Sequence, residues 1–226
     1  MKGFKRLRSK PVVCKRALSK DELQRAFAFF GSTPSYDDNL FISILLTGFH
    51  ALLRLGELVW PDNTELQTYR KLSMRATIKV DANMFEYLLP AHKADLFFEG
   101  NCVIIKRSVN SPDPHTTFCT YLKRRNTLFP LRPELWLRTC GTIPTRAWFM
   151  HRLRTIFPRD IAGHSMRARG ATSLAAAGVL PATIQALGRW SSDAWLVYIH
   201  KHPALLSAML CDGCSLHDGP VTLAPT

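Results

Sequence analysis

Residues 163–178 have the sequence GHSMRARGATSLAAAG, in which His164 and Arg167 stand three positions apart. Helical periodicity over 164–178, directly after Gly163, predicts that a helix begins here. Side chains at positions i and i+3 share one face of a helix, and the first turn also directs backbone N–H groups and the positive end of the helix dipole at an anion. The stretch therefore predicts a helix that can place an imidazole and a guanidinium beside a bound anion.

A second pair of charged residues lies upstream, in the sequence Arg54-Leu55-Gly56-Glu57. Before it, the apolar residues between position 37 and Leu53 predict a helix that is apolar around its circumference and therefore buried at the centre of the fold. We expect Arg54 to lie at the end of this helix, with the carboxylate of Glu57 on the same side. The pair is either a structural ion pair or part of a functional site.

The sequence pattern changes between residues 74 and 106. Residues 76–80, 84–89 and 102–105 predict three short strands separated by turn residues, with Lys93 in the second connection. The other periodic segments predict helices, at 19–30 (opened by a capping box of Ser19 and Glu22), 114–127, 145–156, 181–187, 192–199 and 203–210. The expected fold is mainly α with a small three-stranded antiparallel β-sheet.

Charge is the most informative bulk property of the chain. Its 226 residues contain 30 Lys and Arg against 17 Asp and Glu, a net charge of +13 that is spread along the sequence. Such a surplus favours a polyanionic partner, because phosphate neutralisation and counterion release dominate affinity for nucleic acids. A basic protein with no nucleic-acid role is the alternative that charge alone leaves open.

The sequence contains no apolar stretch long enough for a membrane span and no apolar core of a signal peptide near Met1, so we expect an intracellular protein without membrane contact. Its six cysteines are irregularly spaced, which does not suggest a disulfide framework. Cys211, Cys214 and His217 resemble half of a zinc knuckle, but a second pair of ligands at that spacing is missing, so no metal is expected.

Motifs that follow Arg167 strengthen the functional reading of the charged pairs. Residues 171–178 (ATSLAAAG) are followed by IQALGRW at 184–190 and by Tyr198-Ile199-His200. In this order, with Arg54-x-x-Glu57 upstream, the chain resembles the catalytic domain of the tyrosine recombinase (phage integrase) family. In the style of its motifs it is most similar to recombinases of eukaryotic, fungal-type mobile elements. No single motif is specific, but the ordered combination over residues 20 to 205 is.

The resemblance implies site-specific DNA recombination or integration through a 3′-phosphotyrosyl intermediate, without a metal ion, ATP or any other cofactor. The implied catalytic residues are Arg54, Lys93, His164, Arg167, Trp190 and Tyr198. Tyr198 would attack the scissile phosphate, and Arg54 and Arg167 would bind its non-bridging oxygens.

The remaining roles concern protons and support. By resemblance, Lys93 would protonate the leaving 5′-oxygen and His164 would exchange a proton with the tyrosine phenol. Trp190 occupies a place where most members have His, and it would donate through its indole N–H. Glu57 would hold Arg54 or His164 in position. Residues 168–170 lack the second His or Lys that many members carry, which leaves that position without an assigned role.

We expect a flexible basic arm at 1–18, a catalytic domain at 19–210 and a loose tail at 211–226, with the family's N-terminal core-binding domain absent. DNA binding by this chain is therefore expected to be weak and strongly salt-dependent. The sequence assigns further DNA contacts to five basic residues: Lys5, Arg6, Arg8, Arg169 and Arg189.

The expected partner is double-stranded DNA, bound by a homo-tetramer in a full-length context. The expected location is nuclear if the chain is eukaryotic, and otherwise cytoplasmic and nucleoid-associated. Two alternatives remain open at this point: a non-catalytic or domesticated DNA-binding protein derived from a recombinase, and an enzyme with type IB topoisomerase-like activity. A metal-dependent nuclease is disfavoured, because the chain contains no cluster of carboxylates that would bind the metal.

Overall fold

The computed structural model describes residue 18 and residues 20–30, 33–90, 100–109 and 112–190, without the side chains of Lys20 and Arg169. Its helices are α1 (Lys20–Phe29), α2 (Tyr36–His50), α3 (Pro114–Leu128), α4 (Arg146–Ile156), α5 (Gly163–Ala176) and α6 (Pro181–Gly188). Its strands are β1 (Lys79–Val80), β2 (Met84–Leu89) and β3 (Asn101–Lys106). Short 3₁₀ turns occupy Leu55–Glu57, Thr64–Leu66, Tyr69–Lys71 and Arg75–Thr77.

Helix α2 is the centre of the fold, as its uniformly apolar sequence predicts. All but three of its residues are buried, and it packs against both α3 and α5. Its first turn is fixed by a capping box, in which the Ser35 hydroxyl accepts from the Asp38 backbone and the Asp38 carboxylate accepts from the Ser35 backbone. Burial opposes ionisation of Asp38, but hydrogen bonds from Ser35 and Arg152 lower its pKa below the usual value.

The three strands form one antiparallel sheet in the order β1-β2-β3. Buried residues alternate with exposed or partly exposed ones along β2 and β3, as expected for a sheet with one face on the core. Phe85 on the buried face stacks on Phe118 of α3, with ring centroids 3.9 Å apart. The sheet is thereby joined to the helical core.

The predicted fold class, mainly helical with a three-stranded antiparallel sheet, is confirmed. Two boundaries differ from the prediction. Helix α2 ends at His50 instead of reaching Leu53, because Leu52 adopts a left-handed conformation with φ 52°. The first strand is limited to Lys79–Val80, since Arg75–Thr77 forms a 3₁₀ turn where residues 76–78 were expected to be extended. The predicted helices at 192–199 and 203–210 lie outside the described residues.

None of the helices in the described ranges has the length and apolar character that a membrane span requires. The same ranges contain no group of three or more His, Cys, Asp or Glu side chains placed to hold a metal ion. The zinc-knuckle residues Cys211, Cys214 and His217 lie outside them.

Candidate active site around Arg54

The site is organised by the segment that follows α2. The Leu53 N–H donates to the carbonyl of Gly48 at 3.0 Å, and Leu52 between them is left-handed. A left-handed conformation costs a non-glycine residue about 1–2 kcal/mol. The Leu52 side chain is fully buried and packs with Ala171 and Ile184, which offsets this cost. The turn redirects the chain so that Arg54 leaves the helix axis.

Arg54 and Glu57 form the ion pair that their spacing predicts, although within a 3₁₀ turn rather than at the end of a helix. The Arg54 Nη1 lies 3.0 Å from Glu57 Oε1, and the Arg54 backbone N–H donates to Oε2 at 2.8 Å. The Glu57 side chain is 6% exposed and that of Arg54 is 26% exposed. The carboxylate is thus buried behind a guanidinium that remains accessible to a ligand.

Arg167 extends from α5 into the interior and is only 2% exposed. Its Nη1 donates to the Leu52 carbonyl at 2.6 Å, and its Nη2 donates to the carbonyl of Gly188. The ring of Trp190 covers the guanidinium, with Cζ 4.0 Å from the ring centroid, which is a cation–π contact. Arg167 therefore connects the turn before Arg54 to the C-terminal end of α6.

His164 lies in the first turn of α5 and is exposed. The preceding Gly163 packs so closely on Leu55 that a Cβ atom there would lie 2.7 Å from the leucine Cδ2. The N-terminus of α5 consequently lies against the turn that carries Arg54. The pair His164 and Arg167 shares a helix, as predicted, but the imidazole faces solvent while the guanidinium faces the core.

Arg189 is a basic residue whose structural partners the sequence did not reveal. Its side chain is 11% exposed, and Nη2 lies 3.7 Å from Glu57 Oε2 and 3.3 Å from the carbonyl of Ala51, to which it donates. Burial lowers the pKa of Arg189 below its usual value, while the nearby Glu57 carboxylate opposes that shift. The structure places this guanidinium inside the site, against the residue that holds Arg54.

No protein-family model and no curated protein matches the sequence. Among solved structures, XerA recombinase is similar, with a TM-score of 0.63 at 16% identity over 90% of this chain and 65% of that one. The XerH site-specific recombinase bound to palindromic difH substrate gives a TM-score of 0.59 at 14% identity, over 88% of this chain and 53% of that one. The chain has the tyrosine recombinase catalytic-domain fold.

A third match extends the likeness to a more distant recombinase. The FLP recombinase in a Holliday junction complex gives a TM-score of 0.51 at 12% identity, over 77% of this chain and 43% of that one. This chain spans between about two fifths and two thirds of the length of these three proteins. The predicted recombinase fold is thereby confirmed.

On this recombinase fold, the structure brings four of the predicted residues together around residues 51–58: Arg54, Glu57, Arg167 and Trp190. His164 lies on the adjoining helix terminus. Lys93 and Tyr198, together with the basic residues Lys5, Arg6 and Arg8, lie outside the described residues. Arg169 belongs to α5, but its side chain is also outside them. The roles assigned to these residues stay predictions.

Tyr87 is a further buried polar residue close to the site that the motifs did not indicate. It lies on the core face of β2 with 1% exposure, and its hydroxyl has no hydrogen-bond partner among the described residues. Burial raises the pKa of its phenol well above the usual value, with a smaller opposing effect from Arg189. The only signal in the sequence is its place in the alternating pattern of a strand, which predicts burial but not a charged neighbour.

Proposed function

We propose that this chain breaks and rejoins DNA strands as the catalytic part of a site-specific recombinase or integrase. One observation carries the proposal: on a recombinase fold, Arg167 reaches from α5 to the carbonyl of Leu52, two residues before Arg54, although the two arginines are distant in sequence. A phosphodiester becomes more negative on its equatorial oxygens as it is attacked, and guanidiniums fixed nearby stabilise that charge.

In the proposed reaction the Tyr198 phenol oxygen attacks the scissile phosphorus. A phosphorus–oxygen bond forms to the tyrosine, and the bond to the 5′-oxygen breaks, which leaves a 3′-phosphotyrosine and a free 5′-hydroxyl. Lys93 supplies the proton to the leaving oxygen, and His164 exchanges the phenol proton. The phosphodiester energy is retained in the phosphotyrosine, so rejoining needs neither ATP nor a metal ion.

The two arginines differ in how accessible they are to a bound phosphate. Arg54 is partly exposed and can contact a phosphate oxygen directly, while Glu57 fixes its position. Arg167 is buried beneath the Trp190 ring, so its charge raises the positive potential at the site without direct contact. It can contact the phosphate only after that ring moves. In this proposal the indole N–H of Trp190 becomes a phosphate donor when the ring turns towards the DNA.

Double-stranded DNA is the proposed partner. The net charge of +13 supports a polyanion, and the similar XerH and FLP proteins are seen with a difH substrate and a Holliday junction respectively. We further propose that the chain acts as part of a tetramer on two duplexes and that a mobile element encodes it. In a eukaryotic host it would act in the nucleus, and otherwise in the cytoplasm with the nucleoid.

The test uses trapping of the covalent intermediate. A pool of nicked duplexes with randomised sequence is incubated with the protein, so that cleavage near a nick releases a short strand and prevents rejoining. Denaturing electrophoresis then detects protein joined to DNA. We expect adduct with wild-type protein in the presence of EDTA, none with Tyr198→Phe, and an unchanged yield with the control Tyr69→Phe, because Tyr69 is an exposed residue outside the motifs and phenylalanine keeps its ring contact with Trp60.

Two results would overturn the proposal. DNA binding by the wild-type protein without adduct from any member of the pool would identify a non-catalytic DNA-binding module. Adduct that persists in Tyr198→Phe would assign the nucleophile to another residue. Relaxation of supercoiled plasmid at a rate independent of DNA sequence would instead support the topoisomerase-like alternative.

A further inference from the structure

We infer that Arg189 is a positioning residue for strand cleavage, acting on Arg54 through the carboxylate of Glu57. The inference rests on the proposed function and adds to it a residue whose side chain the sequence assigned to DNA contact. A residue of this kind changes the rate of the chemical step without touching the substrate.

The backbone of Arg189 directs its side chain into the interior. The residue caps the C-terminus of α6 in a left-handed conformation with φ 53°, and its N–H donates to the carbonyl of Ala186 at 3.0 Å. From there the guanidinium donates to the Ala51 carbonyl at 3.3 Å and approaches Glu57 Oε2 at 3.7 Å. With 11% of its side chain exposed, it is poorly placed to contact DNA directly.

Glu57 is shared between two guanidiniums. Its Oε1 pairs with the Arg54 side chain at 3.0 Å, while Oε2 accepts from the Arg54 backbone at 2.8 Å and faces Arg189. The three charged groups together carry a formal charge of +1. Without Arg189 that sum falls to zero, so the buried carboxylate cancels the charge that Arg54 presents to a phosphate.

The same residue affects Arg167 through the backbone. The turn at Arg189 places the next residue, Trp190, over the Arg167 guanidinium, and the preceding Gly188 carbonyl accepts from Arg167. The backbone N–H of Trp190 donates to the carbonyl of Gln185 at 3.1 Å, which fixes the geometry of this turn. The Arg189 side chain thus contacts Glu57, the partner of Arg54, and its main chain positions the Trp190 ring over Arg167.

The experiment separates chemistry from binding. Arg189→Met, Glu57→Gln, the double variant and Arg189→Lys are assayed with the nicked duplex that the wild-type protein cleaves from the pool. The cleavage rate is measured in single turnover at saturating DNA, and the Kd on the same duplex is measured separately. Arg154→Met is the control, because Arg154 is an exposed arginine on α4 that makes none of the contacts described around Arg54.

We expect Arg189→Met to slow cleavage about tenfold or more with Kd changed less than about threefold. Removing the carboxylate as well should restore part of the rate, so that the double variant is faster than Arg189→Met. Arg189→Lys retains a positive charge opposite Glu57 and should remain closer to wild type. Rescue of this kind distinguishes a positioning role from a purely structural one.

Each other outcome is decisive. If the wild-type protein forms adduct and Arg189→Met cleaves at the same rate, the inference fails and the proposed function stands. A parallel loss of rate and affinity without rescue in the double variant assigns Arg189 to structure or to DNA contact. If Arg189→Met does not fold, the double variant, which buries no unpaired charge, is compared with Glu57→Gln. Equal rates support action through the carboxylate, and a further loss of about tenfold in the double variant overturns the inference. Absence of adduct with wild-type protein overturns the proposed function and this inference together.

Discussion

Replacement of Arg167 with methionine tests the energetic role of the buried guanidinium. The substitution removes two charge-assisted hydrogen bonds, to the carbonyls of Leu52 and Gly188, and the stacking contact with Trp190. Each carbonyl left buried without a donor costs about 1–3 kcal/mol. Part of this free energy is recovered, because the substitution removes a buried charge and the apolar methionine side chain fills some of the space. We expect a net destabilisation of about 3 kcal/mol.

Urea unfolding followed by circular dichroism measures this change in the absence of DNA, so the result does not depend on catalysis. With a slope of about 2–3 kcal/mol per molar urea, 3 kcal/mol shifts the midpoint by about 1–1.5 M. Arg167→Lys should fall between wild type and Arg167→Met, because one ammonium lacks the fork geometry that reaches both carbonyls. The exposed Arg154→Met should change stability by less than about 0.5 kcal/mol.

A free energy of unfolding for Arg167→Met equal to that of Arg154→Met would refute the reasoning. It would mean that neither carbonyl depends on the guanidinium for its hydrogen bond. A changed slope with an unchanged midpoint would be equally damaging, since it would locate the effect in the compactness of the denatured state rather than in the site.

Two further predictions concern packing and pH. Gly170→Ala should destabilise the chain by about 3 kcal/mol, because its Cβ would overlap the carbonyl oxygen of Phe49. At Gly56 a Cβ meets no atom within 4 Å, so the control Gly56→Ala should shift the free energy of unfolding by less than about 0.5 kcal/mol. Thermal melting of the two variants measures the difference, and equal melting temperatures would contradict the prediction. Asp38 has a folded-state pKa below its usual value despite partial burial, so its ionisation stabilises the chain above about pH 4 and that contribution is lost as pH falls through the lower folded-state pKa. Asp38→Asn should therefore flatten the acid limb of a stability–pH profile, and an unchanged limb would assign the acid sensitivity to other carboxylates.

Most of the fold could be predicted because local patterns and tertiary burial agree. The apolar run of α2 predicted a central helix, and the alternation over 84–89 and 102–105 located both long strands to within a residue at each end. The end of α2 was wrong by three residues. Leucine is a strong helix former and gives no local signal of a left-handed turn. Only burial against Ala171 and Ile184, far along the chain, makes that conformation favourable for Leu52.

Part of the site was predictable, because some of its contacts are between residues close together in the sequence. The spacing of Arg54 and Glu57 predicted an ion pair, and the pair forms, although in a tighter turn. The environment of Arg189 could not be read in this way. An arginine between Gly188 and Trp190 has no local partner, and charged residues are exposed by default. Its partners, Ala51 and Glu57, are more than a hundred residues upstream and meet it only in the folded chain.

Strain in the backbone coincides with this site. Among the described residues, the two non-glycine residues with positive φ are Leu52 and Arg189, which belong to the segments that carry Arg54 and Trp190. Arg189 donates to the carbonyl of Ala51, and Arg167 donates to the next carbonyl, that of Leu52. Left-handed residues cost about 1–2 kcal/mol each and persist where surrounding contacts fix them. Two buried guanidiniums on adjacent carbonyls supply such contacts, so the groups that would stabilise a phosphate also hold the strained turn that presents Arg54.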